Sequence, residues 1–213
     1  AVSTVSRDSS MRVFLFLCLL WHAGLATAAS TILVLGDSLS AAHNLPIEQG
    51  WVALLDHKLA ESHAGRWRVV NASISGETSS GGLARLPAAL AQHQPAVVLI
   101  ELGANDGLRG LPLPSLRANL AQMIKLAREA GAKVGLIGIE LPINYGQGYR
   151  DRMRQLYREL AQAEGVALMP FLLEAVAADL ANFQDDQVHP TAAAQPAIRD
   201  SVYRWLEASA LLQ

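Results

Sequence analysis

Polar positions divide the chain into short, almost wholly apolar runs: TILVLG at 31–36, WRVVNAS at 67–73, AVVLIELG at 96–103, AKVGLIGIE at 132–140 and, more weakly, GVALMPF at 165–171. A strand with one face in water alternates apolar and polar residues. These runs barely alternate, which is the pattern of strands covered on both faces in a parallel sheet. Between them, apolar residues recur at helical spacing. Trp51, Leu54, Leu55 and Leu59 form one stripe, and Leu116, Leu120, Met123, Ile124 and Ala127 a second. Tyr149, Met153, Leu156, Tyr157 and Leu160 form a third, and Ile198, Val202, Trp205 and Leu206 a last. Residues three and four apart share one helix face, so each stripe is the buried side of an amphipathic helix. The alternation predicts an α/β protein with an open, parallel, five-stranded sheet in three α/β/α layers.

One apolar run stands apart. Met11-Arg12 precedes VFLFLCLLWHAGLA and then Ala26-Thr27-Ala28, giving the charged start, short apolar centre and A-x-A end of a secretory signal peptide. The run is too short and wrongly flanked for a membrane span. The expected division is 1–10 as upstream residues outside the fold, 11–28 as a signal peptide cleaved after Ala28, and 29–213 as a single domain, periplasmic or secreted. The only cysteine, Cys18, falls in the signal, so the mature domain has no thiol for a disulfide, a nucleophile or a metal site. With 51% hydrophobic residues, a formal net charge of -2 and no Lys/Arg block, the chain has a core to bury and no footprint for nucleic acid or an anionic membrane. A monomer without stable membrane insertion is expected.

In open parallel sheets, ligands bind beyond the carboxyl ends of the strands, and the polar clusters of this sequence fall there. Gly36-Asp37-Ser38 follows the first run, Asn71-Ala72-Ser73-Ile74-Ser75-Gly76-Glu77-Thr78 the second and Gly103-Ala104-Asn105-Asp106-Gly107 the third, while Asp185-Asp186-Gln187-Val188-His189-Pro190 lies near the end. A serine hydroxyl attacks at neutral pH only when a base takes its proton, and a histidine base needs a carboxylate to fix its tautomer. Ser38, His189 and Asp186 supply such a set, with Asp185 the competing carboxylate. The backbone N–H groups of Ser38 and Gly76 and the amide of Asn105 are candidate donors to a developing oxyanion. Taken singly, Ser38 could be a helix cap, and Gly76 and Asn105 turn formers. His22, His43, His57, His63 and His93 read as surface or signal residues, and no convergent metal-ligand set is visible. Neither metal nor organic cofactor is expected.

Taken in order, GDSLS, SGETSSGG, GAND and DQVHP resemble the SGNH/GDSL hydrolase family across the mature chain. VVNASISGETSSGGLARLPAAL, LIELGANDGLRG, LPINYG and DDQVHP are similar to its bacterial periplasmic thioesterase/lysophospholipase/arylesterase subgroup. The resemblance implies a flavodoxin-like sheet of order 2-1-3-4-5, a Ser38–His189–Asp186 triad, and an oxyanion hole of Ser38, Gly76 and Asn105. It implies a serine hydrolase that cleaves carboxylic esters and acyl thioesters through an acyl-enzyme, with arylesters, acyl-CoA-like thioesters and lysophospholipids as substrates. The loops at 107–112 and 141–146 would flank an acyl crevice, with Leu108, Leu111, Ile143 and Tyr145 binding substrate, and Ser75 to Leu83 would be a mobile switch loop. Ala104 stands where the subgroup often has Gly, and Gln187-Val188 where it often has Gly-Ile. Rival readings are a carbohydrate or small-acyl esterase on the same scaffold, glycoside chemistry from Glu77, Glu101 and Glu140, and a flavodoxin-like binding module. The last lacks a G-x-G-x-x-G phosphate fingerprint after the first strand.

Overall fold

A computed structural model describes residues 28–213. The expected upstream segment and, but for Ala28, the expected signal peptide lie outside the described residues. Strands β1 (Ser30–Gly36), β2 (Trp67–Asn71), β3 (Val97–Glu101), β4 (Lys133–Ile137) and β5 (Ala167–Met169) form one parallel sheet of order β2-β1-β3-β4-β5. Ile32 to Leu35 of β1 and Val97 to Ile100 of β3 are shut off from solvent, as unalternating apolar runs require. The run at 67–73 is different. As β2 it forms a sheet edge and is only half-buried, so the expectation of cover on both faces fails there.

The later four strands end two to three residues before their apolar runs do. Leu102, Ile139 and Leu141, beyond the strand ends, are buried under the loops instead. Backbone groups released from the sheet find loop partners: Ala72 N–H donates to the Val34 carbonyl at 2.8 Å, and Ile74 N–H to that of Gly36 at 3.1 Å.

Among the described residues, six helices flank the sheet: α1 (Trp51–Ser62), α2 (Ser79–His93), α3 (Ala104–Leu108), α4 (Leu113–Glu129), α5 (Gln147–Glu164) and α6 (Gln195–Ala208). α1 packs with α6, while α2, α4 and α5 pack side by side on the other face, as right-handed crossovers in this strand order demand. The stripes lie against the sheet. Leu116, Leu120, Met123, Ile124 and Ala127 of α4 are all fully buried, each large side chain contributing about 1.5–3 kcal/mol. Trp51 is buried too, with its indole N–H donating to the Leu39 carbonyl at 3.1 Å and its backbone N–H to the buried Gln195 at 2.9 Å.

α2 contradicts the expectation of a mobile loop through Leu83. Thr78 caps it, accepting from Gly81 N–H at 3.4 Å, and Ser79 to Leu83 are helical. A Cβ on Gly82 would lie 2.3 Å from the Leu102 side chain, so the glycine lets the helix settle on the end of β3. No helix among the described residues is long and apolar enough to cross a membrane.

Candidate active site

β1 ends at Gly36, which pairs with Glu101 at the end of β3. A Cβ at Gly36 would meet the Glu101 carboxylate at 2.6 Å and Ser40 at 2.9 Å, so only glycine allows this close approach. The chain then turns on Asp37, whose Oδ1 accepts from Leu39 N–H at 3.0 Å. Ser38 is left half-buried at the sheet's carboxyl edge.

Asp37 and Glu101 are both 0% exposed. Glu101 Oε2 accepts from Ser40 Oγ at 2.6 Å and Asp37 N–H at 3.3 Å. Burial, and then the neighbouring Asp37 charge, hold the Glu101 carboxyl well above its ordinary range. Burial also pushes Asp37 up to about 6, against the opposing pull of the Leu39 N–H, the nearby His189 and the Asn105 amide.

The loop before α6 is shaped by its own polar groups. Phe183 bridges Pro190, Gln184 N–H donates to the His189 carbonyl at 2.8 Å, and Gln187 N–H to the Gln184 carbonyl at 2.8 Å. Gln187 sits at φ 56°, a left-handed conformation that Gly adopts freely and a side chain does not, at the position where the resembled subgroup often has Gly. Asp186 Oδ1 accepts the N–H groups of Val188 and His189, both at 2.9 Å, and Oδ2 lies 2.7 Å from His189 Nδ1. His189 Nε2 lies 2.8 Å from Ser38 Oγ. Partial burial would raise the Asp186 pKa, but the His189 and Val188 bonds outweigh it and bring the carboxyl down to about 2. Asp186 therefore stays ionised beside the imidazole, and it is Asp186, not the competing Asp185, that bonds His189.

Gly76 lies at φ 79° in the loop after β2, its carbonyl accepting from Arg109 Nη2 at 2.8 Å. Asn105, on α3, donates through Nδ2 to the Glu77 carbonyl at 3.0 Å and to Asp37 Oδ2 at 3.2 Å. The neighbouring Asp106 accepts from both Ser79 N–H at 2.8 Å and Ser79 Oγ at 2.5 Å, which ties the start of α2 to α3 and fixes the Gly76–Thr78 loop between them. Among the described residues, the N–H groups of Ser38 and Gly76 donate to no protein acceptor.

A cavity of about 750 Å³ opens beside Ser38, Asn105, Asp186 and His189. Leu108, Leu141, Phe171, Leu173 and Phe183 supply much of its apolar wall. Ile143 and Tyr145 line it as well, whereas Leu111 and Gly76 are not among its lining residues. Leu111 is instead 38% exposed, which corrects its expected place in the acyl crevice. Tyr145 Oη donates to the Leu108 carbonyl at 3.2 Å, linking the two loops that flank the opening.

The carboxylates of the glycoside reading are otherwise engaged. Glu77 pairs with Arg85 at 2.7 Å, Glu140 with Arg154 at 3.2 Å and Arg150 at 3.4 Å, and Glu101 has no solvent access. Two histidines read from sequence as ordinary surface residues have defined partners. His63 Nε2 meets Glu207 at 2.6 Å, pinning α1 to α6. The His43 ring lies 4.0 Å from the His189 ring, tilted by 33°. His43, Asp186 and His189 have ligand-type atoms within 4.8 Å of one another, the Asp186–His189 part of that grouping being the hydrogen bond described above. The buried Asp37–Glu101 pair also went unread, although the unbroken apolar run leading into Glu101 placed that carboxyl at the end of a central strand.

The model of the GDSL-like lipase/acylhydrolase family matches residues 34–196. The esterase TesA of Pseudomonas aeruginosa is 53% identical over 180 residues, covering 84% of this chain and 89% of that protein. The thioesterase 1/protease 1/lysophospholipase L1 of Escherichia coli K12 is 45% identical over 194 residues, covering 91% of this chain and 90% of that protein. Among solved structures, the crystal structure of TesA superposes with a TM-score of 0.81 at 52% identity, over 84% of this chain and 99% of that one. The psychrotrophic esterase EstA of Pseudoalteromonas sp., solved inhibited by monoethylphosphonate, superposes with a TM-score of 0.80 at 42% identity, over 84% of this chain and 97% of that one.

Proposed function

The chain belongs to the GDSL-like lipase/acylhydrolase family and is an esterase of that family, and from this premise we propose that it cleaves acyl esters and thioesters by a Ser38–His189–Asp186 triad through a covalent acyl-enzyme. The observation that carries the reading is the continuous relay from Asp186 Oδ2 to His189 at 2.7 Å and on to Ser38 Oγ at 2.8 Å, set at the mouth of an apolar-walled cavity.

The chemistry follows from those atoms. His189 Nε2 accepts the proton as Ser38 Oγ attacks the acyl carbon, and the ionised Asp186 stabilises the imidazolium that forms. Charge then builds on the carbonyl oxygen, where the unengaged N–H groups of Ser38 and Gly76 and the Asn105 amide can receive it. Losing one such donor costs about 2.7–4 kcal/mol of transition-state stabilisation. Asn105 Nδ2 is shared between the Glu77 carbonyl and Asp37 until then, and one of these two bonds gives way to the oxyanion. His189 returns its proton to the departing alcohol or thiol, and a water repeats the cycle to free the acid and Ser38.

The cavity suits an acyl chain: its walls are mainly apolar, and it lies within the size range of small-molecule sites. Arylesters, acyl-CoA-like thioesters and lysophospholipids, each a small acyl donor, are the substrates of this reading, which involves neither nucleic acid nor cofactor. The names of the relatives, esterase, arylesterase and thioesterase/lysophospholipase, support this breadth. Residues 11–28 carry the accompanying proposal that the enzyme is exported.

Steady-state hydrolysis of p-nitrophenyl esters by Ser38→Ala and His189→Ala tests the assignment. Each variant should lose at least about 10³-fold in kcat, and the double variant no more than either single one, because the residues act as a unit. Melting temperatures should stay close to the parent's. Near-parental turnover by Ser38→Ala would remove the proposal.

A further inference from the structure

We propose that Arg85 is a positioning residue for acyl transfer: its guanidinium grips both ends of the loop from Ala72 to Glu77 and so keeps the Gly76 N–H aimed at the developing oxyanion. The inference rests on the reading of that N–H as an oxyanion donor. The loop leaves β2, the outermost strand, so it has a sheet neighbour on one side only. On that side Ala72 N–H and Ile74 N–H bond the carbonyls of Val34 and Gly36. Among the described residues, no strand lies on the other side, and the remaining carbonyls of the loop need donors from elsewhere.

Arg85, on α2, supplies two of them from one side chain. Its Nη1 donates to the Ala72 carbonyl and its Nε to Glu77 Oε2 at 2.7 Å, which closes the guanidinium on the first and last residues of the span. Glu77, Gly81 and Arg85 are spaced four apart, so they line up along one face at the start of α2. Gly81 makes the alignment possible. A Cβ there would collide with the Glu77 carboxylate, so a residue type that weakens a helix is the seat over which the carboxylate reaches Arg85. The pair is also shielded, with side-chain exposures of 24% for Arg85 and 13% for Glu77, unlike the open surface pairs that contribute little. Arg109, by contrast, is exposed and makes a single bond to the loop, at the Gly76 carbonyl.

The consequence for catalysis follows from geometry. An oxyanion donor acts when it lies about 2.7–3.1 Å from the oxygen, and a misplacement of about 1 Å costs on the order of 10²-fold in rate. A guanidinium holds its donors in a rigid planar fork, whereas an ammonium is a point charge on a flexible stem. Lysine at position 85 could meet Glu77 or Ala72 without fixing one against the other. Arg85 is not among the residues lining the cavity, so its loss should leave ground-state binding alone and weaken the transition state.

The test measures p-nitrophenyl butyrate hydrolysis and inhibition by butaneboronic acid, whose tetrahedral serine adduct sets an oxygen where the oxyanion forms, in variants whose folding is followed by thermal melting. Arg85→Lys should lower kcat by about 10–100-fold with KM within about twofold, and weaken the boronic acid by the same factor as kcat/KM. Glu77→Ala, which frees one end of the loop and carries the test if Arg85→Lys does not fold, should show the same split. The double variant should lose less than the product of the two single losses, because one clamp is being opened. Parental kcat and boronic acid affinity in the folded variants, or a rise in KM with kcat intact, would overturn the inference. Asn105→Ala separates this from the premise: losses of kcat and boronic acid affinity there, with none in Arg85→Lys, remove the clamp alone, whereas no loss in either variant removes the oxyanion reading as well.

Discussion

Asp37 and Glu101 are carboxyl groups without solvent, one adjoining Ser38 and the other bonded to Ser40. Their burial gives the enzyme a pH dependence opposite to that of Asp186. With its carboxyl pushed from 3.8 up to about 6, folded Asp37 keeps a proton that the unfolded chain has already released. Its contribution to stability is complete below the ordinary aspartate range and is lost as pH rises through about 6. Asp186, lowered to about 2, contributes in the other direction: its stabilisation is present above the ordinary range and disappears as pH falls towards 2. Asp37→Asn removes only the first effect. It also sets an amide donor against Asn105, so a constant destabilisation is expected at every pH. The informative quantity is the change: the melting-temperature gap between variant and parent should be smaller at pH 8 than at pH 4.5. A gap independent of pH would show that Asp37 carries no raised pKa.

At the scale of elements, strand ends bring together groups distant in sequence, and the loops after them shape what can enter. α3 delivers Asn105 and leads into Leu108, while the loop after β4 delivers Ile143 and Tyr145 to the cavity wall. Each buried methylene is worth about 0.8 kcal/mol, so a wall that meets the acyl tail separates chain lengths strongly. Leu108→Ala and Tyr145→Ala should therefore lower kcat/KM for decanoyl or dodecanoyl esters by about tenfold, with acetyl esters changed by less than about threefold. Equal losses across a C2 to C12 series would show that these loops do not read the tail.

The central strands and the four helical stripes were legible because burial on both faces, or on one face, leaves a direct mark on residue order, whereas the edge strands β2 and β5 are only partly buried. α2 was not legible, because Gly81, Gly82 and Pro87 argue against a helix, and the Thr78 cap, the packing of Gly82 on Leu102, the buried Leu86 and Leu90 and the Asp106–Ser79 bonds outweigh them. Leu111 was assigned to the crevice because the resemblance placed its loop there and the residue is apolar, and neither fixes where a loop side chain ends up. His43 carried no periodic signal at all: the partner that pins its turn, Gln184, lies 141 residues away.

Across the whole molecule, the parallel sheet gathers four segments at one edge: the turn after β1, the loop into α2, α3, and the loop before α6. Ser38 and His189 are 151 residues apart in the chain and 2.8 Å apart in space. A binding module would have no need of that relay. An activated serine does, and an activated serine reacts with phosphonates. The central claim is tested most directly by incubating the enzyme with a fluorophosphonate at neutral pH and reading the product by intact-protein and peptide mass spectrometry. One adduct per chain, located on Ser38 and absent from both Ser38→Ala and His189→Ala, is the expected result; an unmodified chain, or an adduct on any other residue, would contradict the account.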